Sequence, residues 1–561
     1  MGGRWSLICL LAAAPSVGWA APPAPGAPCD LLLAGGRVVD GTGAPWYRAD
    51  VCVRAGRIAA IGDLGPVPAK RRIDASRLVV APGFIDMMGQ SEYNVLVDNR
   101  AASKITQGIT TEVTGEGSSI APLNARMMAE SKESYDHYGV TPNWTTLEEY
   151  FKELEKRGSA INLATFVGAG GVRNLVIGKD NRPPSPQELK AMEAAVAQAM
   201  EQGALGLSTS LIYVPDNFAS TEEIIALAKV AVRYGGTYIT HQRDEGDGID
   251  KSMDEVFRIA REAKIPAQIY HLKTSGKPNW GRMPAVLKRI EAARAEGLDV
   301  SADQYPWTAS SNNLDESLPI WVREGGADKL VARLADPATR ARARQDFLKD
   351  SPDWPEGAAR ILITSVLNPA LKKYEGKTIA DVARLDGKDP LDALMDIVTA
   401  DRGNTGRVSF GMSEDDVKAA LKHPMVSFAT DSPAMAEDGI LSQEKSHPRA
   451  WGSAARILGK YVRDEKVLTL EEAIRKMTSL PASRMRLDDR GILRPGMAAD
   501  LVAFDADAVR ERSTYADPLH YSEGIPFVMV NGRLVVAGGR ITEERPGRPL
   551  LGPGYRKGGR P

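Results

Sequence analysis

From Asp30 the chain alternates apolar and polar positions over short runs broken by glycine: DLLLAGGRVVDGTG, ADVCVRAGRIAAIG, then SRLVVAPG. Period-two alternation with Gly-rich breaks predicts an antiparallel β unit. The same pattern returns near the other end, in ADLVAFDAD and FVMVNGRLVVAGGRI. A small β-sandwich domain built from residues 28–80 and 488–548 follows if the two ends meet.

Between these segments the rhythm changes to strand then helix. Ser185-Pro186-Gln187-Glu188 has capping-box spacing with Pro at the first helical position. Leu189, Met192, Val196 and Met200 follow at helical spacing. Ser220 with Glu223 opens a further helix, Gly235-Gly236 closes it, and Tyr238-Ile239-Thr240-His241 reads as a strand. Counting such strands from Gly83 gives FIDMM, ITTEVT, INLATFV, LGLST, TYITH, AQIYH, LDVSAD and MVSFATD. Eight β-α units predict an α/β chain with a (β/α)8, TIM-type barrel over residues 81–487, whose active site lies at the C-terminal strand ends. The stretch 314–423 reads as an insertion between the last two strands.

Composition narrows the function classes. A hydrophobic content of 43% and a charged content of 25% are those of an ordinary globular protein. The net charge of −1 leaves no excess of Lys and Arg to neutralise phosphates, which argues against a nucleic-acid partner. At the start, Arg4 precedes the apolar stretch Leu7 to Val17, and Gly18-Trp19-Ala20 offers small residues for cleavage. That layout predicts a signal peptide over residues 1–20 and an exported chain, periplasmic or secreted. No later run is long and apolar enough to span a membrane, so no stable insertion is expected once the signal is removed. Cys29 and Cys52 fall in neighbouring predicted strands. Export permits a disulfide between them, but the expectation is two unlinked core thiols.

The chemistry concentrates at the strand ends. His241 ends the fifth strand, His271 the sixth and Asp431 the eighth, in a chain with only six histidines. Imidazole is a good zinc ligand, and neighbouring parallel strands bring their ends close enough to share one ion. Two satisfied core histidines are the alternative. An aspartate opposite such an ion can take the proton from bound water, whose pKa the ion lowers to roughly 7.

After PGFID come, in order, GALGLSTSLIYVPDNFAS, THQRDEGDGID, YHLKTSGKPNWG, ADQYPWTASS, HPRAWGSAARILGKYVRDEKVLTLEEAIRKMTSLPASR and DRGILRPGMAADLVAFD. From about Asp30 to Leu551 the chain resembles the N-acyl-D-amino-acid deacylases (D-aminoacylases) of the amidohydrolase superfamily. The resemblance implies a metal-dependent hydrolase that cleaves the N-acyl amide bond of a small N-acyl-D-amino acid or related amide. It matches His241 and His271 to the paired histidine ligands and Asp431 to the catalytic acid–base. Lys273 and Tyr305 match substrate-contacting positions, and Tyr213, Ser311 and Arg449 sit in similarly matching phrases. A guanidinium at Arg449 suits bidentate capture of a free α-carboxylate; a structural ion pair near Glu444 is the alternative. Arg243 and Glu245 are expected to brace the barrel rim.

Two departures stand out. Where the family has His-x-His after PGFID and one residue, this chain has Met88-Gly89-Gln90. A thioether and a neutral amide are poor ligands for a borderline dication, so loss of the second, weaker metal position is expected. Where the family has Gly-Asn-Cys-Gly, this chain reads Thr114-Gly115-Glu116-Gly117-Ser118. Without a gap the Cys becomes Gly117; with one deletion Glu116 takes its place, and a carboxylate binds zinc at about 2.0–2.2 Å. The expected set is Glu116, His241 and His271 around one divalent metal, zinc first, with an open position. Glu92 could also lean in. The rival readings are a barrel that has lost its metal and only binds amides or peptides, and a hydrolase of cyclic imides or β-linked dipeptides.

Overall fold

A computed structural model of the protein describes residues 27–556; the segment read as a signal peptide lies outside them. The eight expected barrel strands are present. They are Phe84–Asp86, Ile109–Thr114, Asn162–Thr165 continuing as Val167–Gly168, Gly206–Ser210, Thr237–His241, Ala267–Ile269, Val300–Gln304 and Val426–Phe428. Neighbours pair in parallel around the ring. The ring closes where Met87 N donates to Phe428 O at 3.2 Å and Gly89 bridges Ser432. Alternate side chains fill the interior, among them Ile85, Val113, Ala164, Ile239 and Ala429.

The helices begin where the caps predict. Ser185 accepts from Glu188 N at the start of Pro186–Glu201, and Ser220 from Glu223 N at the start of Thr221–Arg233. In Ile249–Ala263 the residues Ile249, Met253, Val256, Phe257 and Ala260 bury one face at helical spacing. Among the described residues no helix is long and apolar enough to cross a membrane.

The two ends of the chain do meet. Val79–Pro82 pairs antiparallel with Leu501–Phe504, joining strands from both ends into one nine-stranded sheet. That sheet wraps a core of its own from both ends, including Leu31, Val51, Val80, Leu501 and Met529. The cysteine expectation is corrected here: Cys29 and Cys52 form a disulfide, with Cα atoms 5.6 Å apart. Both side chains face the apolar cluster around Leu32, a strand register that the alternation pattern alone did not fix.

Between the last two barrel strands the chain builds a sheet of its own. Strands Ser310–Asn313, Ile361–Ser365 and Gly406–Ser409 form an antiparallel sheet. With helices such as Pro337–Asp350 and Pro390–Ala400 it encloses a second core around Leu314, Phe347, Ile363 and Leu394. Its first strand contributes Ser310 to Asn313 to the wall of the cavity at the barrel mouth.

Candidate active site

A cavity of about 410 Å³ opens at the C-terminal ends of the barrel strands. Glu116 enters it from the loop after the second strand, between Gly115 (φ +95°) and Gly117 (φ +57°). Neither glycine tolerates a side chain. A Cβ on Gly115 would lie 2.6 Å from Phe166 O, and one on Gly117 2.5 Å from Ser210 Cβ. The two glycines thus let the loop pass close to its neighbours and carry Glu116, with Ser118 beyond it, to the cavity wall. His241 is the last residue of the fifth strand, and His271 lies just past the sixth.

Glu116 Oε1 lies 3.0 Å from His241 Nδ1 and 4.0 Å from His271 Nε2, and the two ring nitrogens are 2.9 Å apart. All three ligand atoms fall within 4.8 Å of one another. One carboxylate and two imidazoles aimed at a common point are a donor set that a divalent cation fits, with a coordination position left over. Burial alone would lower the His241 pKa, but Glu245 and Glu116 outweigh it and raise it to about 9. A cation binding there displaces a proton.

Asp431 follows the eighth strand in the left-handed region (φ +52°), and His271 is held there too (φ +33°). Backbone strain of this kind persists where surrounding contacts over-determine it. Asp431 N donates to Met88 O at 2.8 Å, and His271 N to Asp303 Oδ1 at 2.7 Å. Burial raises the Asp431 carboxyl, with Arg449 pulling against it; Arg449 Nη1 lies 2.6 Å from Asp431 Oδ2. Gln90 Nε2 spans the gap between the carboxylates, 3.0 Å from Asp431 Oδ1 and 3.2 Å from Glu116 Oε2. Met88 is buried in the barrel interior. Glu92 lines the cavity and is raised to about 7, chiefly by burial. It does not join the three clustered ligand atoms.

Tyr213, Lys273 and Ser311 line the cavity, while Tyr305 and Arg449 stand one layer back. The Tyr213 ring lies 5.5 Å from that of His241. The Arg449 guanidinium sits over the Tyr305 ring at 4.9 Å and donates to Ser311 O at 3.2 Å. Glu444 is not its partner, being hydrogen-bonded to Tyr138. Arg243 does brace the rim, through Glu255. Glu245 does not, and that expectation is corrected: its carboxylate lines the cavity and binds Lys273 Nζ at 2.7 and 2.8 Å. Burial would raise it, but Lys273, His241 and His271 together hold it well below the usual carboxylate range. Ser275 N donates to Glu245 O at 2.7 Å, tying the loop after His241 to the one after His271.

The sequence reading also missed a buried cluster beneath the site. Lys104 Nζ reaches Asp86 Oδ2 at 3.0 Å, Glu112 Oε1 at 2.8 Å, Thr430 Oγ1 at 2.7 Å and Ser432 O at 2.7 Å. The only signal for it was polar residues at inward positions of the first and second strands.

Residues 71–539 match the model of the amidohydrolase family. An N-acyl-D-glutamate deacylase of Alcaligenes xylosoxydans xylosoxydans is 36% identical over 93% of this chain and 96% of its own length. The chain belongs to the amidohydrolase family. Among solved relatives, this amidohydrolase superposes on the N-acyl-D-glutamate deacylase of Bordetella bronchiseptica, in complex with zinc and a phosphonate mimic of the tetrahedral intermediate. The TM-score is 0.79, with 34% identity over 94% of this chain and all of that one. It superposes equally on a D-aminoacylase whose binuclear metal centre shows one-metal activation and second-metal attenuation, with TM-score 0.78, 34% identity and coverage of 94% and 100%.

Proposed function

We propose that this amidohydrolase cleaves the N-acyl amide bond of small N-acyl-D-amino acids carrying a free carboxylate, with one divalent cation, zinc first, held by Glu116, His241 and His271. The observation that carries the reading is the convergence of those three ligand atoms within 4.8 Å, in the cavity that Asp431 also lines. The deacylases that resemble the chain over almost its whole length supply the reaction class and the D-configuration. A divalent cation bound there would polarise the acyl carbonyl and make a water acidic near neutrality.

The chain's own residues do the rest. Asp431, buried and held by Met88 O and Arg449, takes a proton from the attacking water and returns it to the leaving amine. Lys273 on the wall and Arg449 behind it place two cations where the substrate carboxylate can be held. Among the described residues Arg449 Nε has no hydrogen-bond partner and is buried, so it has a donor free for that contact. The reading of the chain as exported rests on the residues 1–20 pattern, and the Cys29–Cys52 disulfide supports an oxidising compartment.

The test is release of free amine from paired N-acetyl-D- and N-acetyl-L-amino acids by the zinc-loaded protein. Hydrolysis restricted to the D series, and lost in Asp431→Asn, is the expected result. A zinc-loaded protein that leaves both series intact sinks the reading.

A further inference from the structure

Both histidines of the ligand cluster turn their second ring nitrogen toward one carboxylate. His271 Nδ1 lies 3.1 Å from Glu245 Oε1, and His241 Nε2 lies 3.4 Å from Glu245 Oε2. The His241 nitrogen is buried and, among the described residues, makes no hydrogen bond, with Glu245 Oε2 standing beside it. Glu245 is therefore placed to serve as a forked acceptor, one oxygen per ring, on the side opposite Glu116. The rings stand almost perpendicular, at 86°, with centroids 4.3 Å apart.

A neutral imidazole that binds a cation through one nitrogen carries its proton on the other, and that proton needs an acceptor. Here two rings would present their protons to the two oxygens of a single residue. The same His271 Nδ1 also lies 2.7 Å from Lys273 Nζ. The ammonium can donate to it only in the opposite tautomer, whose Nε2 carries the proton and cannot bind a cation. Glu245 and Lys273 thus compete for Nδ1, and a cation at Nε2 decides for Glu245.

We infer that Glu245 is the shared positioning residue of the metal site, accepting the outer ring protons of both His241 and His271, while Lys273 favours the metal-free tautomer of His271. The inference rests on the reading of Glu116, His241 and His271 as the cation's ligands. It makes Lys273 more than a substrate contact: cation loading withdraws His271 Nδ1 from it.

The test reads metal binding and not hydrolysis. The full-length protein is stripped by chelator and titrated with Zn²⁺ against a chromophoric chelator, then with Co²⁺ while its visible absorption is followed. Removing an acceptor of a ligating histidine typically lowers metal affinity about 10–100-fold. Glu245→Ala is expected to fall at least that far and to change the Co²⁺ bands, since two rings lose their orientation. Glu245→Gln keeps the volume should the alanine variant fold poorly, and it is expected to weaken binding in the same direction. Lys273→Met removes the competitor and is expected to bind at least as tightly as the unaltered protein. Wild-type affinity and an unchanged Co²⁺ spectrum in both Glu245 variants would overturn the inference. So would an equal loss in Lys273→Met, which would mean that the ion pair merely holds the wall together. An unaltered protein that takes up neither ion would instead overturn the ligand reading beneath it.

Discussion

Arg449 Nη1 stands 2.6 Å from Asp431 Oδ2, so the carboxylate ending the eighth strand faces a permanent cation. Burial pushes that carboxyl toward its neutral form and Arg449 is the strongest opposing influence. The pair works against that push and favours the ionised form, the one that can accept a proton.

The sign of the pH effect follows. In Arg449→Met burial is less opposed, so Asp431 holds its proton to higher pH and is lost as a base there. The acid limb of the kcat/KM profile is expected to move to higher pH than in the unaltered protein. Asp431→Asn is expected to lower kcat by about 10²–10⁴-fold, the range for loss of a general base. A limb that stays in place in Arg449→Met would speak against Asp431 as the titrating group.

Metal stoichiometry is expected to separate this chain from a binuclear relative. Gln90 places a neutral amide between Glu116 and Asp431, and Met88 lies in the barrel interior. Elemental analysis of the zinc-loaded protein is expected to give about one equivalent, as one donor set predicts. Glu116→Ala should bind it more weakly, and Met88→His with Gln90→His should admit a second. Two equivalents in the unaltered protein would refute the single-site reading.

The disulfide gives a stability prediction. Cys29 and Cys52 close a loop with a sequence separation of 23, and a cross-link over such a loop contributes about 3 kcal/mol. Reductant is expected to lower the denaturation midpoint of the unaltered protein and to leave that of Cys52→Ser unmoved. Equal sensitivity of the two would show that the cross-link does not stabilise the small domain.

What was legible in the sequence has a common physical basis. The eight strands show because a strand buried on both faces needs a short apolar run, and helices between them need caps that short motifs reveal. The ends of those strands then place His241, His271 and Asp431 on one rim by topology alone. Glu116 was reached only through the resemblance, by setting its loop against the family's Gly-Asn-Cys-Gly phrase with one deletion. The disulfide, the Glu245 fork and the Arg449–Asp431 pair were not legible in the same way. Each depends on strand register or on how a loop turns over the rim, and neither period nor composition carries that information. Lys104 was the least visible: it lies 326 positions from one of its partners, Thr430.

That buried lysine supports the last prediction. Lys104, Asp86 and Glu112 have fully buried side chains, and Lys104 also holds Thr430 and Ser432 on either side of Asp431. A buried ion pair adds little net stability, yet removing one partner leaves an uncompensated charge and costs about 3–5 kcal/mol. Lys104→Met is expected to lose that much in urea denaturation, and adding Glu112→Leu should recover part of it. Gly89 belongs to the same construction, since a Cβ there would lie 2.4 Å from Glu112 Oε2; Gly89→Ala is therefore expected to destabilise too. Because Lys104 grips both neighbours of Asp431, Lys104→Met should lower kcat even at temperatures where the variant stays folded. A variant with unchanged stability and unchanged kcat would show that the cluster neither supports the barrel nor holds Asp431 in place.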